Sequence, residues 1–242
     1  MKYVPIVILP GWLLGSHRFL PLEEELKKYG FQVCIVDFPG FEQGKEIFRP
    51  WTLSDYVNYL GKYLEENEII PAVFIGHSFG GRVALKFISE NPTAARALIL
   101  TGTPGYKAIS NRRQKTVGAI SMAGKALAAN LQLPYFREIS QKIFNSAVGA
   151  RDLSKLSGFI RQTLINIVEE DLEPYMKKIT IPTLLLWGSK DGIVPVDIAM
   201  KMKNTIADSE LVVVPHVYHN MPYKSPQVFV EKLRAFLQKT TQ

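Results

Sequence analysis

The sequence predicts an α/β protein: a mostly parallel sheet of about six strands with helices on both faces. Three observations carry this expectation. Short apolar runs alternate with longer helical ones along most of the chain. These runs are rich in Val, Ile and Leu and flanked by Gly, Pro or Asp, as in strands buried on both faces. Finally, 242 residues suit a single α/β domain, and 47% hydrophobic against 21% charged residues can fill its core.

The first strand is Val4–Leu9, and its apolar run to Leu14 is broken by Pro5, Pro10 and Gly11. With those breaks, no basic leader of useful length and no small-residue cleavage site, it reads as a strand and turn and not as an export signal. Helix Leu20–Tyr29 leads to strand Gln32–Asp37, which ends in the turn Asp37-Phe38-Pro39-Gly40. Helix Leu53–Glu66 follows, with Thr52 or Ser54 as its cap. Strand Ala72–Ile75, helix Phe79–Glu90 and strand Ala97–Thr101 continue the alternation. From Thr103 to Lys178 there is no strand pattern, only helical pieces punctuated by Gly118, Gly124, Pro134, Gly149 and Gly158. The order resumes with strand Thr183–Trp187, helix Val196–Thr205, strand Glu210–Val214 and helix Pro226–Gln238. The division expected is a core of residues 1–102 and 179–242 with a helical insertion over 103–178. An insertion that leaves the carboxyl end of one strand and returns at the next lies over the sheet edge where open α/β folds bind ligands.

Composition narrows the function classes. One cysteine, Cys34, rules out an internal disulfide framework and a structural zinc site, and indicates a reducing, cytoplasmic setting. Its position inside a strand suggests a small core residue. No stretch approaches the roughly 18 uncharged apolar residues of a membrane span. The four histidines are scattered, so no metal site is expected, and without G-x-G-x-x-G or a P-loop no nucleotide cofactor is expected either. Most of the net charge of +7 lies in residues 105–178, where 12 Lys or Arg face 6 Asp or Glu. That excess reads as a solvated helical face, or as an attractor for an acidic carrier protein or an anionic surface. The basic residues lack any nucleic-acid-binding spacing.

The strongest local signal is Gly76-His77-Ser78-Phe79-Gly80-Gly81 between a strand and a helix. Strand, G-x-S-x-G, helix is the context of a nucleophile elbow: a tight turn in which Gly76 and Gly80 let the backbone close and the Ser78 hydroxyl projects above the sheet. A serine hydroxyl needs a base, and the base needs an orienting carboxylate. Both follow after later strands. Asp191 ends Trp187-Gly188-Ser189-Lys190-Asp191, and His219 ends Pro215-His216-Val217-Tyr218-His219, in the chain order Ser, Asp, His. Asp197 is a rival acid better suited to capping a helix, and His216 a rival base closer to its strand. An oxyanion hole needs two backbone N–H groups: Phe79 offers one at the helix start, and the Leu9-Pro10-Gly11-Trp12 turn offers that of Trp12. His77 is expected to pack beside the elbow without titrating, and His17 to lie in a loop.

These residues together resemble the α/β-hydrolase superfamily across essentially the whole chain: the D-x-P-G turn at Asp37, GHSFGG around Ser78, PTLLLWGSKD ending at Asp191 and the loop of His219. Gly158 to Trp187, with Val168-Glu169-Glu170-Asp171-Leu172, is similar to a group of small bacterial members. The resemblance implies a serine hydrolase with the triad Ser78, Asp191 and His219, oxyanion donors Trp12 and Phe79, and a helical cap in the insertion. It departs from the family in having Pro10 where His usually precedes the oxyanion glycine, Tyr218 where Gly usually precedes the catalytic histidine, and no N-terminal hairpin. A serine nucleophile leaves acyl transfer, and the leading expectation is a carboxylesterase of small or medium acyl esters. Leu127, Leu131, Phe136 and Phe144, with Leu133, Ile143 and Phe159, are expected to line its acyl or alcohol pocket. Alternatives on the same triad are C–C bond hydrolysis of a vinylogous diketone and cleavage of carrier-bound acyl esters. A non-catalytic small-molecule receptor is the alternative from another class, for which a damaged triad would be the mark.

Overall fold

The computed structural model describes residues 4–106 and 158–240. Strands β1 (Ile6–Leu9), β2 (Val33–Ile35), β3 (Ala72–His77), β4 (Ala95–Thr101), β5 (Thr183–Gly188) and β6 (Ser209–Val214) form one sheet in the order β2-β1-β3-β4-β5-β6, every neighbouring pair parallel. Described helices are α1 (Leu20–Lys27), α2 (Leu53–Glu66), α3 (Phe79–Glu90), α4 (Gly158–Glu169), α5 (Glu173–Met176), α6 (Val196–Thr205), α7 (Met221–Lys224) and α8 (Pro226–Lys239).

Alternate residues of each strand face opposite sides, and the core divides accordingly. Ile6, Ile8, Val73, Ile75, Ile99, Leu184 and Leu186 pack with Leu22 and Leu26 of α1 and Phe229, Leu233 and Phe236 of α8. Val7, Leu9, Phe74, Leu98, Leu100, Leu185 and Trp187 pack with Tyr56, Leu60, Val83, Leu164 and Met202 from the helices of the other face. Fully burying one such aliphatic side chain is worth about 1.5–3 kcal/mol, so the two layers hold the sheet rigid beneath the loops at its carboxyl edge.

Helix α2 starts as the sequence indicates. The Thr52 hydroxyl accepts from the Asp55 N–H at 3.3 Å, and the Asp55 carboxylate accepts from the Thr52 N–H at 2.7 Å, a reciprocal cap. Arg49, 2.6 Å from the same carboxylate, holds Asp55 down to about 2. Thr52, not Ser54, is the cap.

Some boundaries move. β2 is shorter than expected because its pairing with β1 spans only Val33 to Ile35. β3 runs on to His77 because β4 stays paired beside it to Thr101. Cys34 is a correction: on this edge strand it is half-buried and 3.2 Å from the Tyr63 hydroxyl, with burial raising its thiol. His17 lies in a 3-10 turn, Ser16–Phe19, instead of a plain loop. Asp197 lies in the first turn of α6, as expected of a residue at a helix start, where its charge suits the helix's positive end; the N-cap position itself is Pro195. Within the expected insertion, Gly158–Glu169 and Glu173–Met176 are helical, as α4 and α5. Leu127, Leu131, Leu133, Phe136, Ile143 and Phe144 lie outside the described residues. Phe159, on α4, is 43% exposed.

Among the described residues no helix is long and apolar enough to cross a membrane. No group of three or more His, Cys, Asp or Glu among them could hold a metal ion.

Candidate active site

The turn after β3 concentrates the chemistry. Ser78 caps α3 with φ 50° and ψ −111°, a left-handed conformation that costs a non-glycine residue about 1–3 kcal/mol. Backbone bonds hold it there: its N–H donates to the Thr101 carbonyl at 2.9 Å, and its carbonyl accepts from the Gly81 N–H at 3.1 Å. Gly80 permits the turn to press on the loop after β1, since a β-carbon there would overlap the Leu9 carbonyl. The hydroxyl thus rides on strained backbone at the start of a helix, whose positive end favours developing negative charge.

The loops after β5 and β6 bring Asp191 and His219 together. They are joined along their main chains, Ser189 N–H to Val214 O at 2.9 Å and Lys190 N–H to Val217 O at 2.8 Å. Asp191 Oδ1 accepts from the N–H groups of Ile193 (2.9 Å) and Val194 (2.8 Å). Its Oδ2 lies 2.8 Å from His219 Nδ1, with the two side chains 1% and 8% exposed. A carboxylate offers acceptors only, so the shared proton sits on Nδ1 and the Nε2 lone pair of His219 is left free. Gly102, at φ 56°, gives this pair room: a β-carbon there would lie 2.6 Å from His219 Nδ1. The rivals are elsewhere. His216 is exposed, its N–H donating to Ser189 Oγ at 2.8 Å, and Asp197 stays in α6.

The residue before Ser78 touches the His219 loop. The His77 ring lies 4.8 Å from that of His219, and His77 Nε2 is 3.1 Å from the His219 carbonyl oxygen. His77 does pack beside the elbow, and burial, with His219 nearby, holds it well below the usual histidine range.

Trp12 and Phe79 sit on facing segments, the loop after β1 and the first turn of α3. Their rings meet edge to face at 5.6 Å, and Phe41 contacts both at 5.0 Å. Among the described residues no turn, loop or cap bond uses the N–H of Trp12 or of Phe79.

Arg82 is a feature that sequence reasoning overlooked. Buried in α3, it donates to the carbonyls of Ile167 (2.6 Å), Glu170 (2.5 Å) and Pro104 (2.5 Å), tying the helix after Ser78 to both described ends of the long β4–β5 connection. Burial lowers its guanidinium to about 10, which still leaves it charged at neutral pH. One turn on, Lys86 donates to Glu170 and to Ser54 at 2.7 Å each. Burial works against the Lys86 cation, but the Glu170 carboxylate and Tyr175 together more than offset it and raise the amine. The available signal was two cations within an otherwise apolar stretch of α3.

The fold and this site define an enzyme, a hydrolase of the α/β-hydrolase superfamily. The chain belongs to the family described as Serine aminopeptidase, S33, whose model matches residues 4–224. It is 29% identical over 244 residues to the AB hydrolase superfamily protein YisY of Bacillus subtilis, covering 92% of this chain and 87% of that one. It is also 29% identical over 252 residues to the pimeloyl-[acyl-carrier protein] methyl ester esterase of Shewanella sp. strain MR-7, covering 98% and 89%. Among solved structures, a thermophilic esterase from Thermogutta terrifontis superposes with a TM-score of 0.75 at 23% identity, covering 99% of this chain and 91% of that one.

Proposed function

We propose that this hydrolase is a carboxylesterase acting through an acyl-enzyme on Ser78. The observation that carries the reading is the buried 2.8 Å bond between Asp191 and His219, which puts the shared proton on Nδ1 of an imidazole whose ring lies 4.8 Å from that of His77, the residue before Ser78. His219 removes the Ser78 proton as the hydroxyl attacks the ester carbonyl, and the N–H groups of Trp12 and Phe79 receive the oxyanion. His219 then returns the proton to the leaving alcohol. Water, activated by the same imidazole, cleaves the acyl-enzyme and frees Ser78. Residues 103–178 form the cap of this site in our reading, supported by Arg82 gathering Pro104, Ile167 and Glu170 at its base. Hydrolysis of p-nitrophenyl acetate and butyrate by wild type and by Ser78→Ala tests the assignment. The variant is expected to lose on the order of 10⁴-fold or more in kcat. A folded variant that keeps its rate contradicts it.

A second reading is cleavage of acyl esters on an acidic carrier protein. Two observations favour it: the likeness over nearly the full chain to a pimeloyl-[acyl-carrier protein] methyl ester esterase, and the excess of basic residues in 105–178. Charge reversal at Arg112, Arg113 and Arg151, which lie outside the described residues, is expected to slow carrier-bound esters and spare p-nitrophenyl butyrate. Equal losses on both substrates refute it.

A further inference from the structure

His77 is a buried imidazole to which the reaction above gives no part. Its position is unusual: it precedes Ser78, ends β3 and touches the loops that carry the other candidate groups. Its ring is enclosed by Phe19 and Tyr223, each at 5.8 Å, and by His219 at 4.8 Å. On its other edge the backbone of Gly11 approaches so closely that a β-carbon there would come within 2.7 Å of His77 Nδ1. Gly11 adjoins Trp12, so the ring fills the space between the oxyanion turn and the loop of His219.

The hydrogen bonding assigns the tautomer. A main-chain carbonyl only accepts, so the 3.1 Å contact with the His219 carbonyl requires a proton on His77 Nε2. Nδ1 is buried and, among the described residues, has no hydrogen-bond partner, so a proton there would leave an unmatched donor. His219 is therefore tethered twice, through its side chain by Asp191 and through its main chain by His77.

We propose that His77 is a positioning residue: its Nε2–H anchors the main chain of His219, and its ring spaces that loop from the Gly11-Trp12 turn, so base and oxyanion donors stay aligned on Ser78. This rests on the serine-hydrolase reading above. A small displacement of a catalytic group is enough to cost rate, because reacting atoms must be held near 3 Å from one another.

The test compares His77→Leu, which removes the donor, with His77→Gln, whose amide nitrogen can reach the Nε2 position. Each kcat is expressed per active site titrated with a fluorophosphonate, so that misfolded protein does not count. His77→Leu is expected to lower kcat for p-nitrophenyl butyrate by about 10- to 100-fold, and His77→Gln to recover to within about threefold of wild type. Equal kcat per titrated site in wild type and His77→Leu overturns the proposal, as does a His77→Gln variant no faster than His77→Leu. Wild-type protein that neither labels nor hydrolyses instead overturns the serine-hydrolase reading itself. Imidazole ¹⁵N NMR of the wild type is independent of variant folding: His77 is expected to be protonated at Nε2, and a proton at Nδ1 refutes the proposal.

Discussion

Replacing Asp191 with asparagine separates the orienting role of this carboxylate from its bulk. Asp191 Oδ1 accepts two backbone N–H groups, from Ile193 at 2.9 Å and Val194 at 2.8 Å. In the Asp191→Asn variant those donors hold the amide oxygen in the Oδ1 place, so the amide nitrogen must face His219 Nδ1. That ring nitrogen then meets a donor at the position where an acceptor stood 2.8 Å away. His219 can keep the contact only by accepting at Nδ1, which moves its proton to Nε2 and removes the lone pair that would deprotonate Ser78. The wrong tautomer is expected to lower kcat by about 10⁴, or about 5 kcal/mol of transition-state stabilisation. Because the two loop N–H groups remain paired, the melting temperature is expected to move by only a few degrees, roughly the effect of 1 kcal/mol in a chain of this size. Ester hydrolysis with p-nitrophenyl butyrate at neutral pH, read beside thermal unfolding, measures both. A variant within tenfold of the wild-type kcat refutes the reasoning, since the imidazole would then need no acceptor at Asp191.

Other consequences follow from the same geometry. Gly102→Ala places a β-carbon 2.6 Å from His219 Nδ1 at φ 56°, and is expected to cost about 1–2 kcal/mol from backbone conformation alone and to reduce kcat, as steady-state kinetics and melting would reveal. Arg82→Met removes the guanidinium that the carbonyls of Pro104, Ile167 and Glu170 share and is expected to destabilise the fold by about 3 kcal/mol or more, measured by urea unfolding. Asp55 is held at about 2, below its ordinary 3.8, so its contribution to stability is complete above about pH 4 and is lost as pH falls through 2. Melting curves of wild type and Asp55→Asn should therefore differ at neutral pH and converge in acid; a constant difference contradicts the assignment.

Much of the fold was legible because local signals and tertiary packing agree. Helices Leu53–Glu66, Phe79–Glu90 and Val196–Thr205 occur at their expected bounds. Strand ends were less legible, because a neighbour decides them: β3 continues to His77 only because β4 accompanies it. Helix α7 was missed, since Met221–Lys224 is a single turn with too few residues for a periodic pattern. Ser78, Asp191 and His219 stood out because each follows a strand that reads clearly. The His77 contact left no trace, since it joins a ring to a main-chain carbonyl 142 residues away. Arg82 was readable only as a cation in an apolar helix, and its acceptors, three carbonyls on distant segments, have no sequence signature.

The most direct test of the central claim is to react the wild-type protein with a fluorophosphonate and locate the adduct by peptide mass spectrometry. A single modification is expected, on Ser78, with none in the Ser78→Ala variant. An adduct on another serine, or ester hydrolysis by wild type with no adduct at all, contradicts it.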